Sequence, residues 1–291
     1  MKGLILINAY STQSEMLYQP NRLKDEFLAL GVSVDILKND FFPFSTQDGS
    51  VKSKLNGYDF CIYLDKDKYV LKCLDKIGIP LFNSFNAIET CDDKMMTYIH
   101  LSNHGIPIPK TLPGLLCYDH SAPIKSEVVD ALENEVGYPI IIKECYGSLG
   151  KGVYLARDRQ KLISVMEKVK CVPHLFQSFI SSSYGKDLRV IVIGNTVVGA
   201  MLRQSNGDFR SNITAGGSGS GYPLSEEIKN LALRSAKAIG LDYCGIDFLF
   251  DENGFTVCEV NSNAFFGGFE RVTGINVAKL YAEYIINKVS K

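Results

Sequence analysis

Apolar residues near the start of the chain gather in short strand-forming runs at 3–8, 32–37 (VSVDIL), 58–63 (YDFCIY) and 79–82. Between the first two runs, residues 15–30 carry apolar side chains at helical spacing, and Gly31 follows as a stop signal. Strand–helix–strand repeats with short links predict a parallel sheet with helices on its faces. No GxGxxG follows the first run, which argues against a dinucleotide-binding Rossmann domain.

The pattern changes near Thr90. Thr90-Cys91-Asp92-Asp93 has the spacing of a capping box and predicts one helix to about Asn103, ended by Gly105 and Pro107. A helix near 124–136 then leads into a strand at 139–144 (PIIIKE), a glycine loop and a strand at 152–156. A helix at 158–169 and a short strand at 174–177 follow. Residues 187–193 and 196–203 read as a hairpin across Gly194-Asn195, and a long polar stretch covers 205–221. A helix at 224–239, a hairpin of 243–250 with 255–261 about Asp251-Glu252-Asn253-Gly254, and a helix at 276–290 complete the order. These breaks divide the chain into an α/β unit at 1–90 and two α+β units at 91–180 and 181–291.

Composition narrows the classes of partner. The chain has 291 residues, 46% hydrophobic and 22% charged, with a formal net charge of −1. That balance gives no electrostatic reason to expect nucleic acid or an anionic membrane as partner. The opening Met1 to Asn8 is too short for a signal segment and reads as a strand, and no run approaches a membrane span. The eight cysteines show no CxxC or metal-ligand spacing, so free and mostly buried thiols in a cytoplasmic protein are expected.

The candidate chemistry concentrates in the last hairpin. Pairing about its turn brings Asp247 roughly opposite Glu259, with Asn261 on the same face as Glu259. Two carboxylates and an amide oxygen suit Mg²⁺ better than zinc, although a solvated hairpin face would show the same residues. Gly147-Ser148-Leu149-Gly150-Lys151-Gly152 is not a P-loop: position 145 is cysteine, position 152 is glycine, and a strand follows. Such a turn still lets backbone N–H groups approach phosphate oxygens, or it is an ordinary hairpin loop. Lys143 ends the apolar run Ile140-Ile141-Ile142, where a lysine is costly without an anion or a route to the surface. Lys94 follows the capping box and by itself suits a solvated helix face.

Leu175 to Ile180 is apolar and could offer backbone groups to an adenine edge or serve as a core strand. Asp187 and Arg189 alternate on one strand face, Arg203 ends the next strand, and Arg210 and Asn212 lie in the polar stretch. Arginines converging near a metal would suit phosphoryl transfer; a surface ion-pair set is the plainer alternative. The four histidines lack ligand spacing, and neither GxSxG nor a Cys–His pair suggests a nucleophile.

Taken in order, Lys94, PIIIKECYGSLGKGV, LFQSFI, DLRVIVIGNTVVGAMLR, DFRSN, GIDFLF and CEVNSN resemble the ATP-grasp superfamily, and within it the RimK-like carboxylate–amine ligases. The likeness covers about residues 85–291, and the first unit fits the pre-ATP-grasp domain of such enzymes. The resemblance implies ATP with Mg²⁺ (or Mn²⁺), gripped between two α+β lobes. It implies that Lys94 and Lys143 contact phosphates beneath a flap containing Gly147, Ser148 and Gly150. Gln177, Ser178, Phe179 and Ile180 would hold adenine, with Asp187 towards the ribose. Arg203, Arg210 and Asn212 would line the triphosphate and acyl phosphate, and Asp247, Glu259 and Asn261 would hold the metal. The implied reaction joins a small-molecule or peptide carboxylate to an amine through an acyl phosphate, releasing ADP and phosphate. Many relatives are homo-oligomers.

Two further readings compete: a nucleotide-binding sensor or scaffold without ligase activity, and a small-molecule kinase. After Asn261 the chain departs from the family's small residues and Pro-Gly, with Phe265 and Phe266 that could line an acceptor pocket or pack. By the logic of open sheets, Tyr10 and Gln13 in the loop after the first strand are a plausible substrate edge.

Overall fold

A computed structural model describes residues 1–148, 150–205, 207–211 and 217–291. The first run forms β1 (Lys2–Ile7), followed by α1 (Ser14–Ala29) and β2 (Ser33–Lys38). A small hairpin, β3 (Phe44–Gln47) and β4 (Ser50–Ser53), precedes β5 (Phe60–Leu64), α2 (Lys68–Lys76) and β6 (Leu81–Phe82). The four long-range strands make a parallel sheet in the order β2-β1-β5-β6, as the alternating pattern predicts. The β3–β4 hairpin was not foreseen; its residues are mostly exposed and carry little apolar periodicity.

The expected single helix after Thr90 is two helices. Ser84 caps α3 (Phe85–Asp92), and Asp93 then takes an extended conformation and caps α4 (Lys94–Asn103). The Asp93 carboxylate accepts from the amides of Met95 at 2.9 Å and Met96 at 3.1 Å. The capping-box pattern sets the N-cap at Thr90; Thr90 instead lies inside α3, and Asp93 is the cap of α4. Lys94 thereby becomes the first residue of a helix.

The middle of the chain forms β7 (Thr111–Pro113), α5 (Ser126–Glu135), β8 (Ile140–Glu144), β9 (Val153–Ala156), α6 (Arg159–Val169) and β10 (His174–Ser178). Its antiparallel sheet runs β7-β10-β8-β9 and buries Ile140, Ile142 and Phe176 against α5 and α6. The remainder comprises β11 (Lys186–Ile193), β12 (Thr196–Gln204), β13 (Ser218–Tyr222), α7 (Glu226–Ile239), β14 (Tyr243–Asp251), β15 (Gly254–Asn261), α8 (Gly267–Thr273) and α9 (Val277–Val289). Its sheet runs β13-β12-β11-β14-β15, all antiparallel. One core region joins this sheet, through Ile191 and Tyr243, to α1, α9, Phe269 of α8 and the parallel sheet; another lies under α7. No helix among the described residues is long and apolar enough to cross a membrane.

Asn83, 2% exposed, joins the parallel sheet to the last hairpin. Its Nδ2 donates to the carbonyls of Tyr243 (2.7 Å) and Ser262 (2.9 Å), and its Oδ1 accepts from the amides of Asp242 (2.6 Å) and Tyr243 (2.9 Å). Those backbone groups flank the open end of the β14–β15 hairpin. Asn83→Ala strands four of them without water, so urea unfolding is expected to show a loss of about 3–5 kcal/mol. A loss below about 1 kcal/mol contradicts this reading.

Candidate active site

The β14–β15 hairpin holds a bulge at the position that matters. From the turn, pairs run regularly to Phe248↔Val257, and continuing that register would set Cys258 opposite Asp247. Instead the register shifts there, giving Asp247↔Glu259 and Gly245↔Asn261. The extra residue re-aims the strand, as bulges near sites do, and leaves the two carboxylates and the amide on one face.

That face continues across β11 and β12. Arg189 stands opposite Asp247 in register, and Asp187 stands opposite Arg203. Arg189 binds Asp247 through both Nε and Nη2, the latter at 2.8 Å. Arg203 forks onto Asp187 at 2.7 and 2.5 Å, and its Nη2 also lies 2.9 Å from Asp247. Asp247 is 3% exposed and Arg203 7%. Burial alone would push the Asp247 carboxyl up, but the two guanidiniums outweigh it and hold it below the ordinary range. At Asp187 burial dominates; Arg203 pulls down, the Asp247 charge pushes up, and the carboxyl lies above the ordinary range. Arg189 is a participant that carried no assigned role in the sequence, though its alternation with Asp187 already set it on this face.

Two lysines approach from other elements. Lys143 on β8 is 7% exposed. Its Nζ donates to the Tyr98 hydroxyl at 2.9 Å and lies 3.7 Å from Cys258 Sγ. The Tyr98 hydroxyl in turn donates to the Cys258 carbonyl, so α4 ties the central sheet to the bulge. Tyr98 falls one helical turn from Lys94, the signal that could have found it. Lys94 Nζ donates to the Gly147 carbonyl at 2.9 Å and stands 3.9 Å from Glu259 Oε1. Burial lowers the Lys94 ammonium; Glu259 opposes this, while Lys66 and Lys143 add to it, leaving it below the ordinary lysine value. An ammonium so placed gains from an arriving anion.

The glycine loop joins β8 to β9. Gly147, Gly150 and Gly152 all have positive φ, and a Cβ on Gly152 would meet Glu144 within 2.9 Å, so the turn requires glycine there. The Ser148 carbonyl accepts from the Lys151 amide at 3.1 Å. Arg210 is half-exposed, paired with Asp208, and its Nη1 donates to the Gly150 carbonyl at 3.0 Å. In the proposed adenine segment the Gln177 side chain donates to Thr111 at 2.8 Å, and the Ser178 amide donates to the Lys110 carbonyl at 2.9 Å. Phe179 and Ile180 are half-buried between β10 and β11. Asn212 lies outside the described residues.

The donor set fits a hard divalent cation. The Nδ2 atom of Asn261 is buried without a hydrogen-bond partner, and turning the amide over would present Oδ1 there instead. Among the described residues no group of three His, Cys, Asp or Glu could hold a metal, so the acids available are the pair Asp247 and Glu259. Two carboxylates with an amide oxygen suit Mg²⁺, which keeps waters and takes phosphate oxygens. Phe266 is fully buried against Tyr18 and Tyr243, whereas Phe265 is 49% exposed. Packing therefore accounts for Phe266 only.

A model of the RimK-like ATP-grasp domain matches residues 91–285. The chain belongs to that family. It is 38% identical over 226 residues to human N-acetylaspartylglutamate synthase A, covering 77% of this chain but only 56% of that protein. It is 32% identical over 291 residues to a probable alpha-L-glutamate ligase of Vibrio atlanticus, covering 95% and 94% of the two chains. The fold matches the ATP-grasp ligase PsnB complexed with a phosphomimetic variant of its minimal precursor, Mg and ADP at a TM-score of 0.70 and 19% identity, over 100% and 99% of the chains.

The buried charge network generates a stability prediction. Arg203→Met leaves Asp187 and Asp247 facing each other with one cation removed. A loss of about 3–5 kcal/mol is expected at neutral pH. In the variant both carboxyls rise above their unfolded values, so its deficit narrows as pH falls towards about 4. A deficit that stays constant with pH contradicts the network.

Proposed function

We propose that the protein is an ADP-forming ligase that joins a carboxylate to an amine through an acyl phosphate. The observation that carries this reading is the shared face holding Asp247, Glu259 and Asn261, lined by Arg189 and Arg203 and approached by Lys94 and Lys143. The proposed chemistry needs no covalent nucleophile from the chain. Asp247, Glu259 and Asn261 would hold Mg²⁺, which when bound would supply charge neutralisation at phosphoryl oxygens. Lys143 and Lys94 bind the phosphates, and Arg203 and Arg210 follow the charge that develops on the transferred group. Arg189 keeps Asp247 ionised and fixed. The glycine loop covers the phosphates and excludes water, and Gln177 to Ile180 receive adenine between the lobes.

In this reading residues 1–90 form the pre-ATP-grasp domain, 91–180 the central lobe and 181–291 the metal-binding lobe. The names of the human and Vibrio relatives both specify glutamate, so glutamate is the first amine to try. Exposed Phe265 and Tyr10 favour a less polar partner on the other substrate. The test incubates the protein with MgATP, glutamate and pooled amino acids, peptides and small carboxylic acids. Pool-dependent ADP and phosphate are expected, with a product one water lighter than its two substrates. AMP formation would exclude the acyl-phosphate route, and ATP binding without turnover against the whole pool would favour a sensor.

Lys143→Ala and Asp247→Asn are each expected to lower ADP formation by roughly 1,000-fold while the protein stays folded. Unimpaired turnover in either variant removes the site assignment. Lys94 adds a pH dependence. Its ammonium is below the ordinary lysine value in the free protein and would rise when a triphosphate arrives, so binding takes up a proton. ATP affinity is then expected to fall with rising pH before an ordinary lysine titrates, and this fall should vanish in Lys94→Met. Titration calorimetry at several alkaline pH values would show either result.

A further inference from the structure

The outer edge of the central sheet brings together two thiols that are far apart in sequence. β7 pairs with β10 as Thr111↔Gln177, Leu112↔Phe176 and Pro113↔Leu175. Past the end of β7 the two chains stay side by side: the Gly114 amide donates to the His174 carbonyl at 2.8 Å, and the Cys117 amide to the Lys170 carbonyl at 2.7 Å. Cys117 thereby stands next to Cys171, whose thiol is pushed above its ordinary range by burial and then by the Cys117 thiol. Both thiols are free and half-buried. The 2.7 Å bond sets the Cys117 amide on the carbonyl of the peptide that joins Lys170 to Cys171, so the two cysteines are neighbours across this contact, and a disulfide spans roughly 4.4–6.8 Å at Cα.

The surroundings hold this pair in place. Cys117 Sγ lies 3.1 Å from the Asp119 carbonyl. Lys170 Nζ bonds both Glu167 and the Ala122 carbonyl at 2.6 Å, fastening the loop after Cys117 to the end of α6. The other thiols are placed differently. Cys61, Cys91, Cys145 and Cys244 are buried, with burial pushing the Cys91 thiol up to about 12 and that of Cys244 well above its ordinary value. Cys73 sits on α2 in the first unit, and Cys258 lies beside Lys143.

We propose that Cys117 and Cys171 form a redox modification site, a dithiol that a peroxide converts into an intramolecular disulfide. One thiol is first oxidised to a sulfenic acid, breaking the peroxide O–O bond and releasing water when the peroxide is hydrogen peroxide. The second thiol then forms the S–S bond and releases another water. Two thiols lose two protons and two electrons, and the peroxide is reduced to two waters. A thiol reductant reverses the step. The bond would fasten the 114–123 loop to the turn before β10. The Pro173 carbonyl of that turn accepts from the Cys145 amide at 2.8 Å, at the root of the glycine loop.

The fully reduced chain would be treated with a few equivalents of hydrogen peroxide, alkylated under denaturing conditions, digested and mapped by mass spectrometry. One crosslinked peptide pair joining Cys117 to Cys171 is expected. Two of the eight thiols should be lost, and dithiothreitol should restore both. Cys117→Ser and Cys171→Ser should each abolish the crosslink. Should either variant fail to fold, the map of the unaltered chain decides alone. Full retention of thiols, a crosslink confined to another pair or joining two copies, or over-oxidation of Cys117 and Cys171 without the crosslink would each overturn the proposal.

Discussion

The buried ion network of Asp187, Arg203, Asp247 and Arg189 is the constraint around which the last sheet is organised. Two carboxylates and two guanidiniums lose most of their hydration together, and desolvating any one of them alone would cost several kcal/mol. The antiparallel register solves this by setting each acid directly opposite an arginine, with Arg203 bridging both acids. The forked geometry of arginine lets one side chain satisfy two oxygens at once, which lysine cannot do. Neutral as a set, the network still leaves Asp247 strongly anionic, because its two cations outweigh burial. In the proposed metal site, a carboxylate kept ionised at 3% exposure is what a hard cation would require of its ligand.

The network fixes Asp247, but the opposing Glu259 depends on the backbone. Without the bulge at Cys258, the residue facing Asp247 would be a cysteine, a soft ligand better suited to other metals. Both ends of the hairpin are held from outside. Asn83 binds the backbone just before and just after the paired strands. At the turn end, Ser182 Oγ donates to the Phe250 carbonyl at 2.6 Å, and Ser183 Oγ accepts from its amide at 3.1 Å. The bulge itself is caught by the Tyr98 hydroxyl on the Cys258 carbonyl. A register shift is easily lost by slippage in a free ribbon, and these contacts remove that freedom.

Much of the fold was legible because its signals are local. Period-two runs, helical spacing and turn residues located every strand of the three larger sheets except β7 and β13, and the alternation of Asp187 with Arg189 set them on one face. The ordered motifs from Lys94 to Asn261 carried the family. What escaped was decided by competition or by distance. Thr90 was the expected cap, but it lies inside α3, which starts at Phe85, and Asp93 caps a second helix, so the expected helix is split. The β13 strand lies in a Ser- and Gly-rich stretch with almost no apolar signal; its pairing with β12 supplies what its composition does not. Asn83, Tyr98 and the Cys117–Cys171 contact join positions whose spacing carries no pattern at all.

The split helix shows how a local outcome reaches the site. Had the helix run unbroken from Thr90, residue 94 would sit in its second turn and its direction would follow from the helix face alone. Because Asp93 stops α3 and restarts the chain, Lys94 opens α4, its amide donates to the Cys145 carbonyl at 3.1 Å, and its ammonium reaches both Gly147 and Glu259. One extended residue thus connects the loop above the site with the hairpin below it. The Asp93 carboxylate faces the amides of α4, and the Lys94 charge is opposed by Glu259 and Asp92 and by whatever anion the site receives.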